Sequence, residues 1–152
     1  MKSLLVSLLF VASAPALASA LPSEITRLMD KDGTFVSLTN GKVVEHEHGT
    51  ACRIIPHPYG ADDAVWIDSV SYFNPVAYLE GAKRSVLANG TIVYATTSSG
   101  RRPGGSVCGD FTPLRSYKQT VEVTKDTVLL RQRIGCGLSR TLEIVEGCKV
   151  KN

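Results

Sequence analysis

Residues 117–134 read YKQTVEVTKDTVLLRQRI, and this stretch decides the fold class. A reversal at Lys125 and Asp126 places apolar side chains opposite one another on one face. The facing pairs on that side are Val123 with Val128, Val121 with Leu130, Gln119 with Gln132 and Tyr117 with Ile134. The other face carries mostly charged and hydroxyl side chains. This alternation predicts an antiparallel β-hairpin that is packed on one side and exposed to water on the other.

Two asparagine–glycine pairs predict two more hairpins, because these residues favour tight type I′ turns. The pairs, with the segments that they fold, are Asn40-Gly41 in 34–48 and Asn89-Gly90 in 85–96. The second hairpin has apolar pairs on both faces, which are Leu87 with Ile92 and Val86 with Val93. We therefore expect it to lie in the centre of the sheet, covered on both sides.

The remaining elements are shorter. Residues 64–71 and 138–145 predict single strands, and the apolar spacing in 24–29 predicts a short helix. Residues 74–81 begin with asparagine and proline and end with glycine, which is typical of one helical turn. Together these elements predict an all-β protein, an antiparallel meander of about eight strands that forms a sandwich or a small barrel, with a short N-terminal helix.

Residues 1–20 have the layout of a secretory signal peptide, with one cation at Lys2, an apolar run over 4–12 and small residues before the end. We expect cleavage near Ala20, which leaves 21–152 as a single disulfide-stabilised β domain. The expected location is the periplasm or the outside of the cell. No later stretch is long and apolar enough to predict a transmembrane segment in the mature protein.

All four cysteines follow the signal segment, and an even number of them favours disulfides in an exported protein. The sequence permits three pairings. We expect Cys52 to pair with Cys108, and Cys136 with Cys148, because the second pair closes a short loop. A zinc site is the alternative, but it favours closely spaced cysteine pairs, and none of the four forms a C-x-x-C step.

All three histidines lie in one stretch, at His46, His48 and His57. Two histidines at alternate positions of a strand project from the same face, where they can bind one copper or zinc ion, with His57 as a third ligand. The alternative is that these histidines, which lie near glutamates, form a polar strand end. The sequence predicts no cofactor other than this metal ion.

A cationic surface is expected on the exposed face of the 117–134 hairpin and on the neighbouring loop. Its members are Lys118, Arg131, Arg133, Arg101 and Arg102. Such a surface suits lipid head groups, a cell-wall polymer or an acidic protein. The alternative is that these cations keep the protein soluble and prevent pairing between sheet edges. The formal net charge of +3 is too small to predict a nucleic-acid partner.

Trp66 lies in a segment that also contains Tyr59, Tyr72 and Tyr78. Aromatic side chains that line a groove suit a sugar or a small apolar ligand, whereas aromatic residues in a core strand are the commoner explanation. Trp66 is therefore a candidate ligand-binding residue.

The sequence lacks the nucleophile motif G-x-S-x-G, the zinc motif H-E-x-x-H and a phosphate-binding glycine loop. It predicts an exported β protein that binds a protein, a glycan or a small ligand through the loops at 49–63 and 97–116, and that is not an enzyme. One alternative is a periplasmic or secreted copper or zinc protein that uses His46 and His48. Another is a small secreted hydrolase, with Cys108 as a conceivable nucleophile.

Overall fold

The computed structural model describes residues 21–43, 50–60, 63–70, 75–96, 107–109 and 111–151, without the side chain of Val43. The elements within these residues are α1 (Ser23–Thr26), β1 (Gly33–Thr39), β2 (Lys42–Val43), β3 (Ala51–Pro56), β4 (Ala64–Ser69), β5 (Val76–Tyr78), β6 (Lys83–Val86), β7 (Ile92–Thr96), β8 (Leu114–Val123), β9 (Thr127–Cys136) and β10 (Arg140–Val150). The strands form one antiparallel sheet in the order β5-β4-β3-β1-β10-β9-β8-β7-β6, and β2 pairs with β1 beside that path. The sheet curves into a half-barrel, which confirms the predicted all-β class. The predicted signal peptide lies outside the described residues.

The hairpin of β8 and β9 has the predicted register, with Val123 opposite Val128 and Val121 opposite Leu130. These four side chains are buried and belong to the main core. Lys118 faces Arg133 on the opposite side of the hairpin, and both are exposed. One face of this ribbon is therefore packed and the other is wet, as the sequence indicates.

The two asparagine–glycine turns differ from each other. The turn between β1 and β2 is the predicted two-residue reversal, in which Asn40 and Gly41 both have positive φ and Leu38 faces Val43. These dihedral angles are the ones that a type I′ turn requires. The rest of the predicted 34–48 hairpin, from residue 44 onward, lies outside the described residues.

The predictions for the 85–96 hairpin are wrong in register and in position. The loop has three residues, closed by the Leu87 amide donating to the Thr91 carbonyl at 2.9 Å, and Gly90 takes the left-handed conformation at φ 82°. The extra loop residue shifts the ladder by one, so that Val86 faces Ile92. β6 is an edge strand whose four residues are all exposed, because no further strand pairs with it in the described part of the chain.

Residues 74–81 do not form the predicted helical turn in their described part, because 76–78 are strand β5. β5 pairs with β4, and the Leu79 amide donates to the Asp63 carbonyl at 2.8 Å. Pairing with a neighbouring strand thus overrides the local helical signal. The last strand also differs from the prediction, since β10 continues to Val150 and Leu138 lies exposed in the turn before it.

The expected pairing of Cys52 with Cys108 and of Cys136 with Cys148 is wrong. Cys136 faces Arg140 in the β9–β10 ladder, and Arg140 lies eight residues before Cys148. Cys136 and Cys148 therefore lie at opposite ends of the ladder, about 26 Å apart at the rise of a β-strand. The disulfides instead join Cys52 to Cys148 and Cys108 to Cys136.

The Cys52–Cys148 disulfide joins β3 to β10 across the strand that separates them, β1. Gly33 of β1 pairs with Cys52 on one side and with Val150 on the other. A Cβ atom on Gly33 would lie 2.6 Å from the Cys148 Sγ and 2.7 Å from the Lys149 carbonyl oxygen. Residue 33 must therefore lack a side chain for the disulfide to pass over it.

We expect Gly33→Ala to lower the free energy of unfolding by about 1 to 3 kcal/mol, because the added methyl group overpacks the space beneath the disulfide. The neighbouring exposed residue supplies the control, and Thr34→Ala should change the free energy by less than about 0.5 kcal/mol. Chemical denaturation of the oxidised proteins measures both values. Equal stability of the two variants would contradict the proposed close contact.

α1 and the turn after it cover the core on the inner side of the half-barrel. Ile25 and Leu28 are almost fully buried among core residues of the sheet. The Glu24 carboxylate accepts hydrogen bonds from the Tyr94 hydroxyl at 2.5 Å and from the Arg84 Nε at 2.9 Å. These bonds join the helix to β6 and β7 at the far edge of the sheet.

The pKa values of Glu24 and Tyr94 are both shifted in this arrangement. The hydrogen bond from Tyr94, followed by that from Arg84, lowers the pKa of Glu24 from 4.5 to about 2. Burial, followed by the hydrogen bond to Glu24, raises the pKa of Tyr94 to about 12. Because the pKa of Glu24 is lower in the folded state, its stabilising contribution is complete above pH 4.5 and is lost as the pH falls through about 2.

We expect Glu24→Gln to lower the free energy of unfolding at neutral pH by about 1 to 3 kcal/mol, since it removes a charged acceptor of two hydrogen bonds. The difference from the wild type should shrink as the pH is lowered from the ordinary carboxyl pKa toward the folded-state value. Denaturation curves at stepped pH measure this convergence. The exposed Glu80→Gln serves as control and should track the wild type at every pH; a constant difference for Glu24→Gln would rule out the linkage.

Candidate aromatic binding site

β4 and β5 present two different faces. Val65, Ile67 and Ala77 point into the core and are fully buried. Trp66 and Tyr78 alternate with them and therefore lie on the outer face of the half-barrel, where both are partly exposed. The candidate site lies on this outer face at the edge of the sheet.

A tight turn brings two more rings to the same place. The Gly60 amide donates to the His57 carbonyl at 3.3 Å across Pro58 and Tyr59, and Gly60 has a φ of 82°. Proline and glycine are the residues that such a turn favours. The turn folds Tyr59 back toward His57, and the Tyr59 side chain is 84% exposed.

The four rings form one aromatic cluster, which we define as His57, Tyr59, Trp66 and Tyr78. The His57 ring lies at its centre, with centroid distances of 5.2 Å to Trp66, 5.7 Å to Tyr59 and 5.8 Å to Tyr78. Tyr59 and Trp66 are 6.3 Å apart in an edge-to-face arrangement. All four distances lie in the range of aromatic pairs, and three of the pairs are edge-to-face, which is a favoured arrangement.

The small side chain of Ala64 leaves room for this packing of the rings. It faces Tyr78 in the β4–β5 ladder, and its carbonyl accepts a hydrogen bond of 3.2 Å from the His57 amide. The Ala64 side chain is small and fully buried. The His57 and Tyr78 rings can therefore approach each other across the middle strand.

One hydrogen bond determines how His57 presents its ring nitrogens. The Tyr59 amide donates to the His57 Nδ1 at 3.3 Å. A nitrogen that accepts carries no proton, so the neutral ring has its proton on Nε2. His57 can consequently donate one hydrogen bond from Nε2 at the centre of the cluster.

The same outer face becomes charged toward the other end of β3 and β4. Arg53 faces Asp68 across the ladder, and its Nη2 lies 2.7 Å from an Asp32 carboxylate oxygen. The hydrogen bond to Asp32 raises the pKa of Arg53 above its ordinary value. These residues line a shallow cleft of about 290 Å³ together with Ala51, Cys52, Ser69 and Val70. The outer face of β3 and β4 is thus aromatic at one end and charged at the other.

The predicted cationic surface is only partly available to a ligand. Arg131 donates to Glu122 at 2.6 Å and to Glu143 at 3.1 Å. The hydrogen bond to Glu122 raises the pKa of Arg131 above its ordinary value. Lys118 and Arg133 remain exposed beside it. The geometry therefore gives Arg131 a structural role and leaves its two neighbours as the accessible cations of this face.

Several predicted site residues lie outside the described residues. They are His46, His48, Arg101, Arg102 and Tyr72. Within the described residues, no group of three histidine, cysteine, aspartate or glutamate side chains is arranged to hold a metal ion. Because two of the three proposed histidine ligands fall outside that part, copper or zinc binding stays a prediction.

All four cysteines form disulfides. Cys108 is bonded to Cys136, so it has no free thiol with which to attack a substrate. The cysteine-based form of the hydrolase alternative therefore has no support in the oxidised protein. Two disulfides are compatible with a secreted or extracellular location.

No protein-family model and no characterised protein matches this chain. Among the described helices, none is long and apolar enough to cross a membrane. The aromatic cluster must therefore be interpreted from its own chemistry.

The sequence indicated Trp66 and the tyrosines, but it did not indicate that His57 joins them. The usable signal was the segment His57-Pro58-Tyr59-Gly60, which has the composition of a tight turn at the end of a strand. A turn at that point returns Tyr59 to the face from which His57 projects. The grouping of the three histidines in the sequence instead predicts His57 as a third metal ligand.

We expect Arg131→Met to lower the free energy of unfolding by about 1 to 2 kcal/mol, because it leaves two partly buried carboxylates without their common donor. Arg133→Met provides a matched control on the same strand and should change the value by less than about 0.5 kcal/mol. Urea denaturation measures both. A larger loss for the control than for Arg131→Met would contradict the structural role of Arg131.

Proposed function

We propose that this chain is an exported binding protein and that the aromatic cluster holds a glycan. The observation that carries the proposal is the placement of four interacting rings on the outer face of the sheet, where they add nothing to the main core. Large aromatic groups that remain partly exposed are costly in water, and they mark binding surfaces.

The chemistry of the cluster fits a sugar better than a purely apolar ligand. A sugar ring has apolar C–H groups on its faces and hydroxyl groups around its edge. The exposed ring of Tyr59 and the partly exposed ring of Trp66 offer surfaces for the C–H groups. The Nε2–H of His57 offers a hydrogen-bond donor between them, which suits the hydroxyl groups.

The charged end of the same face adds to this argument. Arg53, Asp68 and Asp32 supply donors and acceptors beyond the aromatic cluster. Arg53 and Trp66 lie on neighbouring strands, two register positions apart, which corresponds to about 7 Å along the strands. A ligand longer than one sugar ring can reach both ends of the strip.

Two hydrogen bonds support the position of the His57 ring at the centre of the cluster. The Tyr59 backbone amide donates a hydrogen bond to the His57 Nδ1, and the His57 backbone amide donates one to the Ala64 carbonyl. Preordered side chains lose less conformational entropy when a ligand binds. This favours a site for recognition over an accidental group of surface rings.

Export is part of the same proposal. The first twenty residues have the pattern of a signal peptide, and the four later cysteines form two disulfides. We propose that residues 21–152 act as one domain in the periplasm or outside the cell, where free and polymeric glycans are accessible.

Trp66 is the only tryptophan of the chain, so its fluorescence reports on the cluster directly. We expect at least one member of a panel of cello-, chito-, xylo- and manno-oligosaccharides to shift Trp66 emission in a saturable titration. Tyr59→Ala should weaken that binding by about tenfold or more, because it removes the most exposed ring. Calorimetry with the same oligosaccharide provides an independent affinity.

Leu87→Ala is the control, since Leu87 is exposed on the β6–β7 hairpin away from the cluster. Its affinity should equal that of the wild type. A panel in which no oligosaccharide binds the wild type would refute the proposal. An affinity that is the same for the wild type and for Tyr59→Ala would exclude the aromatic cluster as the site.

A further inference from the structure

A second surface lies at another end of the molecule, where the loop before β8 meets the β9–β10 turn. Phe111 is fully exposed there, and Leu138 is 95% exposed. We call this part of the structure the tip and define it as residues 111–113 and 137–139. Two large apolar side chains with almost no cover are unusual so near each other on a protein surface.

One disulfide and two hydrogen bonds link the two halves of the tip. The Cys108–Cys136 disulfide lies at its base. The Gly137 amide donates to the Pro113 carbonyl at 2.9 Å, and the Arg115 Nη1 donates to the Leu138 carbonyl at 2.6 Å. The backbone that carries the two exposed apolar side chains is therefore held by one disulfide and two hydrogen bonds.

The backbone of Phe111 supports the same conclusion. Its φ is 68°, which is the left-handed region that bulky residues rarely adopt. Such a conformation persists only where the surrounding structure enforces it, and it is typical of functional positions. Here it holds a phenylalanine ring entirely in solvent.

The segments that lead to the tip carry an excess of positive charge, although Glu143 lies opposite Arg133 in the β9–β10 ladder. Residues 107–118 and 133–141 contain four cations against one carboxylate, Asp110. The four cations, all exposed, are Arg115, Lys118, Arg133 and Arg140. Arg133 lies three residues from Cys136, which corresponds to about 10 Å along the strand. Because that distance exceeds the Debye length of about 8 Å at physiological salt, Lys118 and Arg133 act more weakly than Arg115 and Arg140 on a surface that the tip touches.

We propose that the tip docks on an anionic lipid bilayer. Phe111 and Leu138 enter the boundary between head groups and acyl chains, Arg115 and Arg140 contact lipid phosphates, and Lys118 and Arg133 add attraction over a longer distance. Apolar side chains next to cations are the combination that binds anionic membrane surfaces without spanning them. Arg115 keeps guanidinium donors for a phosphate after its bond to Leu138. This surface is formed by other strands than the aromatic cluster, so the inference does not depend on glycan binding.

The test uses the oxidised protein and sedimentation with two kinds of vesicle. We expect it to bind vesicles of phosphatidylcholine with phosphatidylglycerol, to bind pure phosphatidylcholine at least about tenfold more weakly, and to lose affinity as salt is added. Phe111→Ser with Leu138→Ser should weaken binding to the anionic vesicles by at least about tenfold. Lys118→Gln with Arg133→Gln should also weaken this binding, by a smaller factor.

The matched control replaces exposed apolar residues elsewhere. Val70→Ser with Val86→Ser should bind anionic vesicles as the wild type does. Equal binding to both kinds of vesicle, or no binding to either, would overturn the proposal. So would a loss of affinity in the control equal to that in the tip variant.

A second readout does not depend on loss of binding. Phe111→Trp adds a fluorophore at the tip, and lipids with brominated acyl chains should quench its emission on anionic vesicles. The native Trp66 in the wild type is the internal reference. It should be quenched far less, since it lies on β4 and not at the tip. Equal quenching in the wild type and in Phe111→Trp would contradict insertion of the tip.

Discussion

The disulfide that crosses β1 at Gly33 is the constraint on which the rest of this structure depends. β3 pairs with β1 at only two positions, Gly33 with Cys52 and Thr34 with Ala51. A ladder of two residue pairs is too short to hold β3, β4 and β5 in place by itself. The bond from Cys52 to Cys148 adds a covalent link between these strands and the long ladders of β8, β9 and β10. The link supports the strands of the aromatic cluster together with their buried side chains Ile54, Val65, Ile67 and Ala77.

The interior of the half-barrel has a different role from its surfaces. The inner side is covered by α1, which buries Ile25 and Leu28 and is joined by Glu24 to Arg84 and Tyr94. These residues occupy part of the concavity. Both surfaces that we propose for binding accordingly lie elsewhere, one on the outer face and one at the tip.

The cations of this protein differ in whether a carboxylate binds them within the fold, which decides whether they can bind a partner. Arg131 and Arg84 are fixed by carboxylates, and the guanidinium of each is bonded within the fold. Lys118 and Arg133 face each other in the β8–β9 ladder, where like charges are unfavourable, and Glu143 lies opposite Arg133 in the β9–β10 ladder. An anionic partner that binds both cations would offset their repulsion. The hairpin sequence places Lys118, Arg131 and Arg133 on one face, but it does not show that Arg131 also donates to Glu143 of β10.

Local sequence determined the elements whose information lies within a few residues. The β8–β9 register, the turn at Asn40-Gly41 and the exposure of Lys118 and Arg133 all follow from side-chain alternation and turn chemistry, which act over short distances. The three-residue loop at 88–90 shows the limit of this method, because Asn89 and Gly90 fit two turn types that differ by one residue in register.

Only the tertiary structure decided which distant segments meet. The cysteine pairing depends on the strand order, which places β3 and β10 on either side of β1. The conversion of 76–78 from an expected helical turn to a strand depends on β4 lying beside it, and the grouping of His57 with Tyr78 depends on the same pairing. These contacts are formed by residues far apart in the chain, and their energies come from packing and pairing that no single segment contains.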